Sequence, residues 1–323
     1  MIRPVCIVTG FLGAGKTTLA LGLIRSGELK DAVLIVNDFG DASFDSVQVG
    51  VTGTAYRAMD GGCICCTVKD DLLKTLHEIP SLFPDKTSVW IETSGISNPS
   101  DLITLFDGSS FLSGSYSLSS VVAVVDGRSS LDWLLAQESA AEQLSAASLA
   151  IINRHEATQD LDQFRQKLET LNPLSDVHVL SLKDEPPITS DTFFDLANCY
   201  THAQSRIPIG HRHESHGYTT QTIRWEGAVD ESEFVDLCSE WIEQIGPGLL
   251  RLKGTVRTHG NDQFMVMQGV RRHVTFDYNH SGWPTENVLV VIGRGIEREV
   301  VDSLLSNILS LKNKETEAEI CQK

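Results

Sequence analysis

Apolar residues in the first part of the chain fall into short β-branched runs, most of them followed by a turn and an amphipathic stretch. The runs are "PVCIVTG", "AVLIVND", "TSVWIET", "SSVVAVVD", "SLAIIN" and "VHVLSL". Near-continuous apolarity over so few residues predicts strands buried on both faces. Between them, "DDLLKTLHEI", "AAEQLSAA" and "DLDQFRQKLETL" carry helical spacing. This alternation predicts a mostly parallel sheet covered by helices on both faces.

The pattern changes near Thr201. "THAQSRIPIGHRHESHGY" mixes two Ile with Gly, Pro, Ser and four of the ten His, and reads as a linker over residues 201–217. Beyond it lie a strand near 219–226, a helix beginning near Asp230, strands at "LLRLKGTVR", "QFMVMQGV", "RHVTFDY" and "NVLVVIGRG", and a closing helix. Strands with segregated helices predict a smaller α+β domain over residues 218–323, after an α/β domain over residues 1–200. The tail from Lys312 is polar and is expected to fray. No internal repeat is visible.

Candidate chemistry begins at "GFLGAGKTT", which fits G-x-x-x-x-G-K-[ST] over residues 10–17 between an apolar strand and a helix. In such a P-loop NTPase domain the glycines let backbone N–H groups wrap phosphate oxygens at a helix N-terminus. Gly10, Gly13, Ala14, Gly15, Lys16, Thr17 and Thr18 form the expected cradle, with Lys16 reaching the β- and γ-phosphates and Thr17 ligating Mg²⁺. Asp38 in "IVNDFGD" and Glu92 in "VWIETSG" close two strands, where carboxylates point into the ligand crevice of open α/β sheets. Either could hold Mg²⁺ directly or through water. Gly95 allows close backbone approach to the γ-phosphate.

After "SLAIIN" come Asn153, Arg154, His155 and Glu156, where GTPases carry Asn-Lys-x-Asp. A carboxylate there accepts both guanine N–H groups, and Arg154 can stack as a Lys stem does. Glu156 keeps the carboxylate on a longer arm. Guanine is the expected base, with relaxed or adenine binding left open.

Charge and cysteine usage narrow the partners. With 26 Lys+Arg against 43 Asp+Glu the formal charge is −17, which argues against a nucleic-acid partner. At 41% hydrophobic and 21% charged, the chain reads as globular. No signal-like leader and no run long enough to span a bilayer is seen, so a cytoplasmic protein without membrane attachment is expected. Seven Cys in a reducing compartment point to metal or catalytic roles rather than disulfides. Cys6, Cys199, Cys238 and Cys321 are scattered and read as packing or surface residues.

"GGCICCTV" crowds Cys63, Cys65 and Cys66 into four positions. Thr67-Val68-Lys69-Asp70 fits a capping pattern, which puts Cys65 and Cys66 at a helix mouth where the dipole favours thiolates. Thiolates suit Zn²⁺, and three of them leave one tetrahedral position open for transfer. Redox work by the vicinal pair is the rival reading, and inert packing the bland one. His202, His211, His213 and His216 form a tract that either collects metal or is a solvated linker.

Together "VTGFLGAGKTT", "VNDFG", "GGCICCTV", "IETSGISNP" and "LLRLKG…QGV…IGRG" resemble the CobW-type family of P-loop metallochaperone GTPases over nearly the whole chain. The resemblance implies GTP hydrolysis to GDP and phosphate with Mg²⁺, coupled to loading or release of a transition metal for a client metalloprotein. It implies catalytic roles for Lys16, Thr17 and Glu92, with Glu92 in a switch. It makes Cys63, Cys65 and Cys66 the metal ligands, with Thr17 and Asp38 on the metal-phosphate side. Zn²⁺ ranks first, with Co²⁺ and Fe²⁺ open. Two departures stand out: Asp38 where many members have Glu, and Asn153-Arg154-His155-Glu156 in place of Asn-Lys-x-Asp. Competing readings are a nickel or cobalt enzyme maturation factor, a P-loop kinase or ATPase, and a metal buffer or sensor with negligible turnover. The client is not named by the residues, and a homodimer is among the open assembly states.

Overall fold

A computed structural model describes residues 2–36, 55–58, 66–182, 193, 212–215, 217–278 and 286–321, with backbone alone for 55–58, 66–70, 107–108, 110–111, 113, 212–215, 298 and 312–321. The chain divides into two compact units, Met1–Leu168 with Ser175–Leu196, and Glu169–Leu174 with Ala197–Lys323.

The first unit is built on β1 (Arg3–Thr9), β2 (Ala32–Val36), β3 (Ala55–Ala58), β4 (Ser88–Glu92), β5 (Tyr116–Asp126), β6 (Leu149–Asn153) and β7 (Asp176–Leu180). Their order is β3-β2-β4-β1-β5-β6-β7, and every pairing is parallel. All residues of β2, β4 and β6 are buried, as the unbroken apolar runs require. Helices α1 (Lys16–Arg25), α2 (Cys66–Leu82), α3 (Ser100–Gly108), α4 (Ser110–Ser115), α5 (Leu131–Ala136), α6 (Glu138–Ala146) and α7 (Leu161–Leu171) connect the strands. Leu19, Leu23 and Ile24 of α1 pack on Cys6, Val8, Leu34, Trp90, Val122 and Val124. Each such aliphatic side chain contributes about 1.5–3 kcal/mol on burial. The chain leaves β1 for β2 by passing over the position of β4, so the β1–α1 turn opens at the crevice where neighbouring connections diverge.

The second unit holds β8 (Arg212–Ser215), β9 (Tyr218–Trp225), β10 (Leu249–Arg257), β11 (Phe264–Val270), β12 (His273–Asp277) and β13 (Asn287–Arg294), in the order β12-β11-β10-β13-β9-β8. All these pairings are antiparallel. Helices α8 (Glu231–Ile245) and α9 (Arg298–Cys321) put Phe234, Trp241, Ile242, Leu304 and Ile308 into one core with Ile223, Leu252, Met267, Leu289 and Val291. Asp230 caps α8, its Oδ1 accepting from the Glu233 backbone N–H at 2.9 Å. Trp241 Nε1 donates to the Val300 carbonyl at 2.8 Å, tying α8 to α9.

Four expectations change. Strand β3 has no counterpart in the apolar pattern, because it is a four-residue strand at the sheet's edge. Helix α2 starts at Cys66, so Thr67 lies inside its first turn and does not cap it. Part of the segment read as a linker is strand β8, paired with β9 from Arg212↔Gln221 to Ser215↔Tyr218. Helix α9 continues to Cys321, past Lys312 where fraying was expected. Cys6 and Cys238 are buried, in keeping with a packing role, and burial pushes the Cys238 thiol far up. No helix among the described residues is long and apolar enough to cross a membrane.

Candidate functional site

The phosphate loop joins β1 to α1, and its glycines are required by geometry. Gly10, Gly13 and Gly15 have φ of 141°, 74° and 111°, a region that side-chain-bearing residues rarely adopt. A Cβ on Gly10 would sit 2.3 Å from the Val124 carbonyl oxygen, and one on Gly15 would sit 2.5 Å from Asn153 Nδ2. At Gly13 the same Cβ would meet nothing within 4 Å, so that side of the loop faces open space. Gly15 is the N-cap of α1, whose first turn carries no acidic residue. The positive end of the helix dipole is therefore left without a carboxylate of its own helix, which suits an incoming anion.

Lys16 is buried and donates from Nζ to the Gly10 carbonyl at 2.9 Å. Thr17 Oγ1 donates to Glu92 Oε1 at 2.7 Å. Glu92 ends β4 and is 1% exposed, directly beside Val8 of β1. With its hydrogen aimed at Glu92, the Thr17 hydroxyl keeps its lone pairs for a cation. Thr18 follows on α1 and is exposed. Gly95 lies so close to the loop that a Cβ would come within 2.7 Å of Leu12 Cδ2 and of the Leu12 backbone nitrogen.

The expected base segment is tied to the phosphate loop by side chains. Asn153 Nδ2 donates to the Ala14 carbonyl at 2.9 Å, while its Oδ1 accepts from the Leu182 backbone N–H at 3.3 Å. Arg154, with φ 56°, donates from Nη1 to the Gly13 carbonyl at 2.8 Å and to Asp126 Oδ2 at 2.9 Å. Asp126 also takes Arg128 Nη2 at 2.7 Å and the Arg128 backbone N–H at 3.0 Å. Burial pushes the Asp126 carboxyl upward, but the Arg128 hydrogen bonds and the charges of Arg154 and Arg128 outweigh it and hold the group below its usual range. Glu156 lies in the short turn His155–Ala157 and is exposed.

Asp38, Cys63 and Cys65 lie outside the described residues, as do His202, His211 and His216. Cys66 is the first residue of α2, and His213 lies on β8. What is described is where the flanking strands end. Val36 of β2 pairs with Glu92, and Ala58 of β3 pairs with Val36. The segments bearing Asp38 and the cysteines therefore depart from the same carboxyl edge of the sheet as the phosphate loop. Among the described residues no group of three or more His, Cys, Asp or Glu could hold a metal ion.

Two contributors belong to no sequence motif. Asp126 closes "SVVAVVDG", a strand-end carboxylate of the kind that drew attention at Glu92. Gln143 is a polar residue on a helix in which Ala140, Ala141, Leu144 and Ala146 are also buried. It is 1% exposed, and its Nε2 donates to the carbonyls of Gly95 and Ser97, each at 3.1 Å.

A parallel sheet whose first turn is a left-handed glycine loop on a helix N-terminus, with Lys, Thr and a neighbouring strand-end carboxylate, defines a P-loop NTPase domain. The "CobW/HypB/UreG, nucleotide-binding domain" description matches residues 4–179, and "Cobalamin synthesis protein cobW C-terminal domain" matches residues 218–309. The chain belongs to the CobW/HypB/UreG nucleotide-binding family. It is 27% identical to the zinc chaperone CobW of a Sinorhizobium species, over 90% of this chain and 92% of the relative. It is 33% identical to the zinc-regulated GTPase metalloprotein activator 1 of Schizosaccharomyces pombe, over 54% of this chain and 44% of that one. In fold it is similar to the Zn(II)-bound YjiA GTPase from E. coli, with TM-score 0.70 and 20% identity, over 96% of this chain and 99% of that one.

Proposed function

We propose that this protein is a GTP-dependent metallochaperone that holds Zn²⁺ through Cys63, Cys65 and Cys66 and couples GTP binding and hydrolysis to handing the metal to a client metalloprotein. The observation that carries the reading is the shared edge. Thr9, Val36, Ala58 and Glu92 end adjacent parallel strands on one side of the sheet. Phosphate loop, Asp38 segment and cysteine segment therefore start from neighbouring strand ends. The names of the relatives, zinc chaperone and zinc-regulated GTPase metalloprotein activator, support zinc as cargo.

In this reading the loop N–H groups of Gly13, Gly15, Lys16 and Thr17 take the phosphate chain, and Lys16 exchanges the Gly10 carbonyl for phosphate oxygens. The cradle of left-handed glycines and the acid-free start of α1 fit that anion. The Thr17 hydroxyl, oriented by Glu92, would hold Mg²⁺ together with Asp38, and the ion supplies charge neutralisation at the phosphates. Gly95 follows Glu92 and brings its amide toward the γ-phosphate. Asn153 and Arg154 fix the loop's height against β6, and Glu156 takes the guanine N–H groups. Ordering by the γ-phosphate would reach the cysteines through the segment that begins at Val36, and hydrolysis would relax it.

The test is zinc binding by the full chain with Mg²⁺ and a non-hydrolysable GTP analogue, compared with Cys65→Ala. Loss of at least about tenfold in affinity is expected, since a thiolate ligand is removed. Equal affinity in the two proteins would contradict the assignment.

A further inference from the structure

Gln143 has no place in the phosphate cradle, yet its side chain holds the segment that follows Glu92. Both of its partners, the Gly95 and Ser97 carbonyls, can only accept, so the carboxamide must present its NH₂ to them. That choice leaves Oε1 facing elsewhere, and among the described residues it has no hydrogen-bond partner; neither does the buried Ser97 Oγ. Gln143 also lines a cavity of about 20 Å³, room for one water molecule, shared with Gly10, Phe11 and Ala14 of the phosphate loop. Gly95 is also pressed against Leu12. The segment from Glu92 to Ser97 is thus held by both α6 and the β1–α1 connection.

We infer that Gln143 is a positioning residue that sets how the Gly95 amide meets the γ-phosphate, and so sets both GTP-over-GDP preference and hydrolysis rate. This rests on the nucleotide reading above. Two carbonyls gripped by one amide fix the segment's height over Leu12 more tightly than one bond would. GDP has no γ-phosphate to meet Gly95, so its binding should be indifferent to the clamp.

The experiment uses the full chain and Gln143→Met, which keeps length and apolar packing but has no N–H. Affinities for GDP and for a non-hydrolysable GTP analogue are measured with Mg²⁺, alongside single-turnover hydrolysis. The expected result is GDP affinity within about twofold of wild type, with analogue affinity and hydrolysis both lowered about tenfold to a hundredfold, the scale on which a displaced group acts. Gln143→Glu serves as the second variant. Its carboxylate cannot donate, but its protonated form regains one donor, so part of the lost rate should return on acidification, unlike in Gln143→Met. Unchanged hydrolysis or unchanged analogue affinity, or equal loss of both nucleotides, would overturn the inference. A wild-type chain that binds no nucleotide would instead overturn the reading beneath it.

Discussion

Replacing Asn153 by Ala isolates the tie between β6 and the phosphate loop. Asn153 is 2% exposed and makes two buried hydrogen bonds, to the Ala14 carbonyl at 2.9 Å and from the Leu182 N–H at 3.3 Å. The substitution strands both backbone groups, and Ala14 and Leu182 are themselves 1% and 5% exposed. An orphaned buried group costs about 1–3 kcal/mol, with the longer contact at the low end, so the sum is about 2–4 kcal/mol. Against a total stability of about 5–15 kcal/mol this is a large fraction. Urea unfolding of the nucleotide-free chain measures it, read by fluorescence that includes Trp90, which is packed edge-on to Phe193 at 4.9 Å in the same unit. The midpoint should fall while the slope stays constant. Asn153→Asp should do no better, because a carboxylate accepts from Leu182 but cannot donate to Ala14. A change below about 0.5 kcal/mol in Asn153→Ala, the range of ordinary surface substitutions, would refute the bracing role.

Gly10→Ala should cost about 2–5 kcal/mol from left-handed strain plus the 2.3 Å collision with Val124, whereas Gly13→Ala, facing open space, should cost about 1–2 kcal/mol; thermal unfolding of the two variants decides, and equal losses would contradict the geometry. The lowered Asp126 pKa means its ionised form is the one favoured by folding. Its stabilisation is complete above the unfolded-state value of about 3.9, and is lost as pH falls through the native value below that. The stability difference between wild type and Asp126→Asn should therefore shrink on acidification, and a pH-independent difference would argue against it. Asp230→Ala should cost about 1 kcal/mol in the second unit through the lost cap, measured as a shift in that unit's unfolding, with no effect on nucleotide affinity.

The phosphate loop was legible because its chemistry demands fixed residue types at fixed spacing over one short stretch. Strands buried on both faces were legible for a similar reason, since a strand such as "AVLIV" has no solvent face to keep polar. Strand β8 reads "RHES" and β3 reads "AYRA". Both sit at sheet edges, where backbone pairing alone can hold a strand and leaves no apolar signature. The start of α2 was misplaced because Thr-x-x-Asp is as acceptable inside a first turn as at a cap. The ties at Asn153 and Gln143 span 139 and 48 residues along the chain, so only the folded sheet brings their ends together. Asp126 was visible as a strand-end carboxylate, but its pairing with Arg154 depends on β5 and β6 being neighbours.

The most direct measurement is competitive Zn²⁺ titration of the full chain with Mg²⁺ and either a non-hydrolysable GTP analogue or GDP. Linked sites should differ in zinc affinity between the two nucleotides by about fivefold or more, with zinc shifting nucleotide affinity by the same factor. Equal zinc affinity in both nucleotide states would contradict the coupling and leave a zinc-binding NTPase whose two sites act independently.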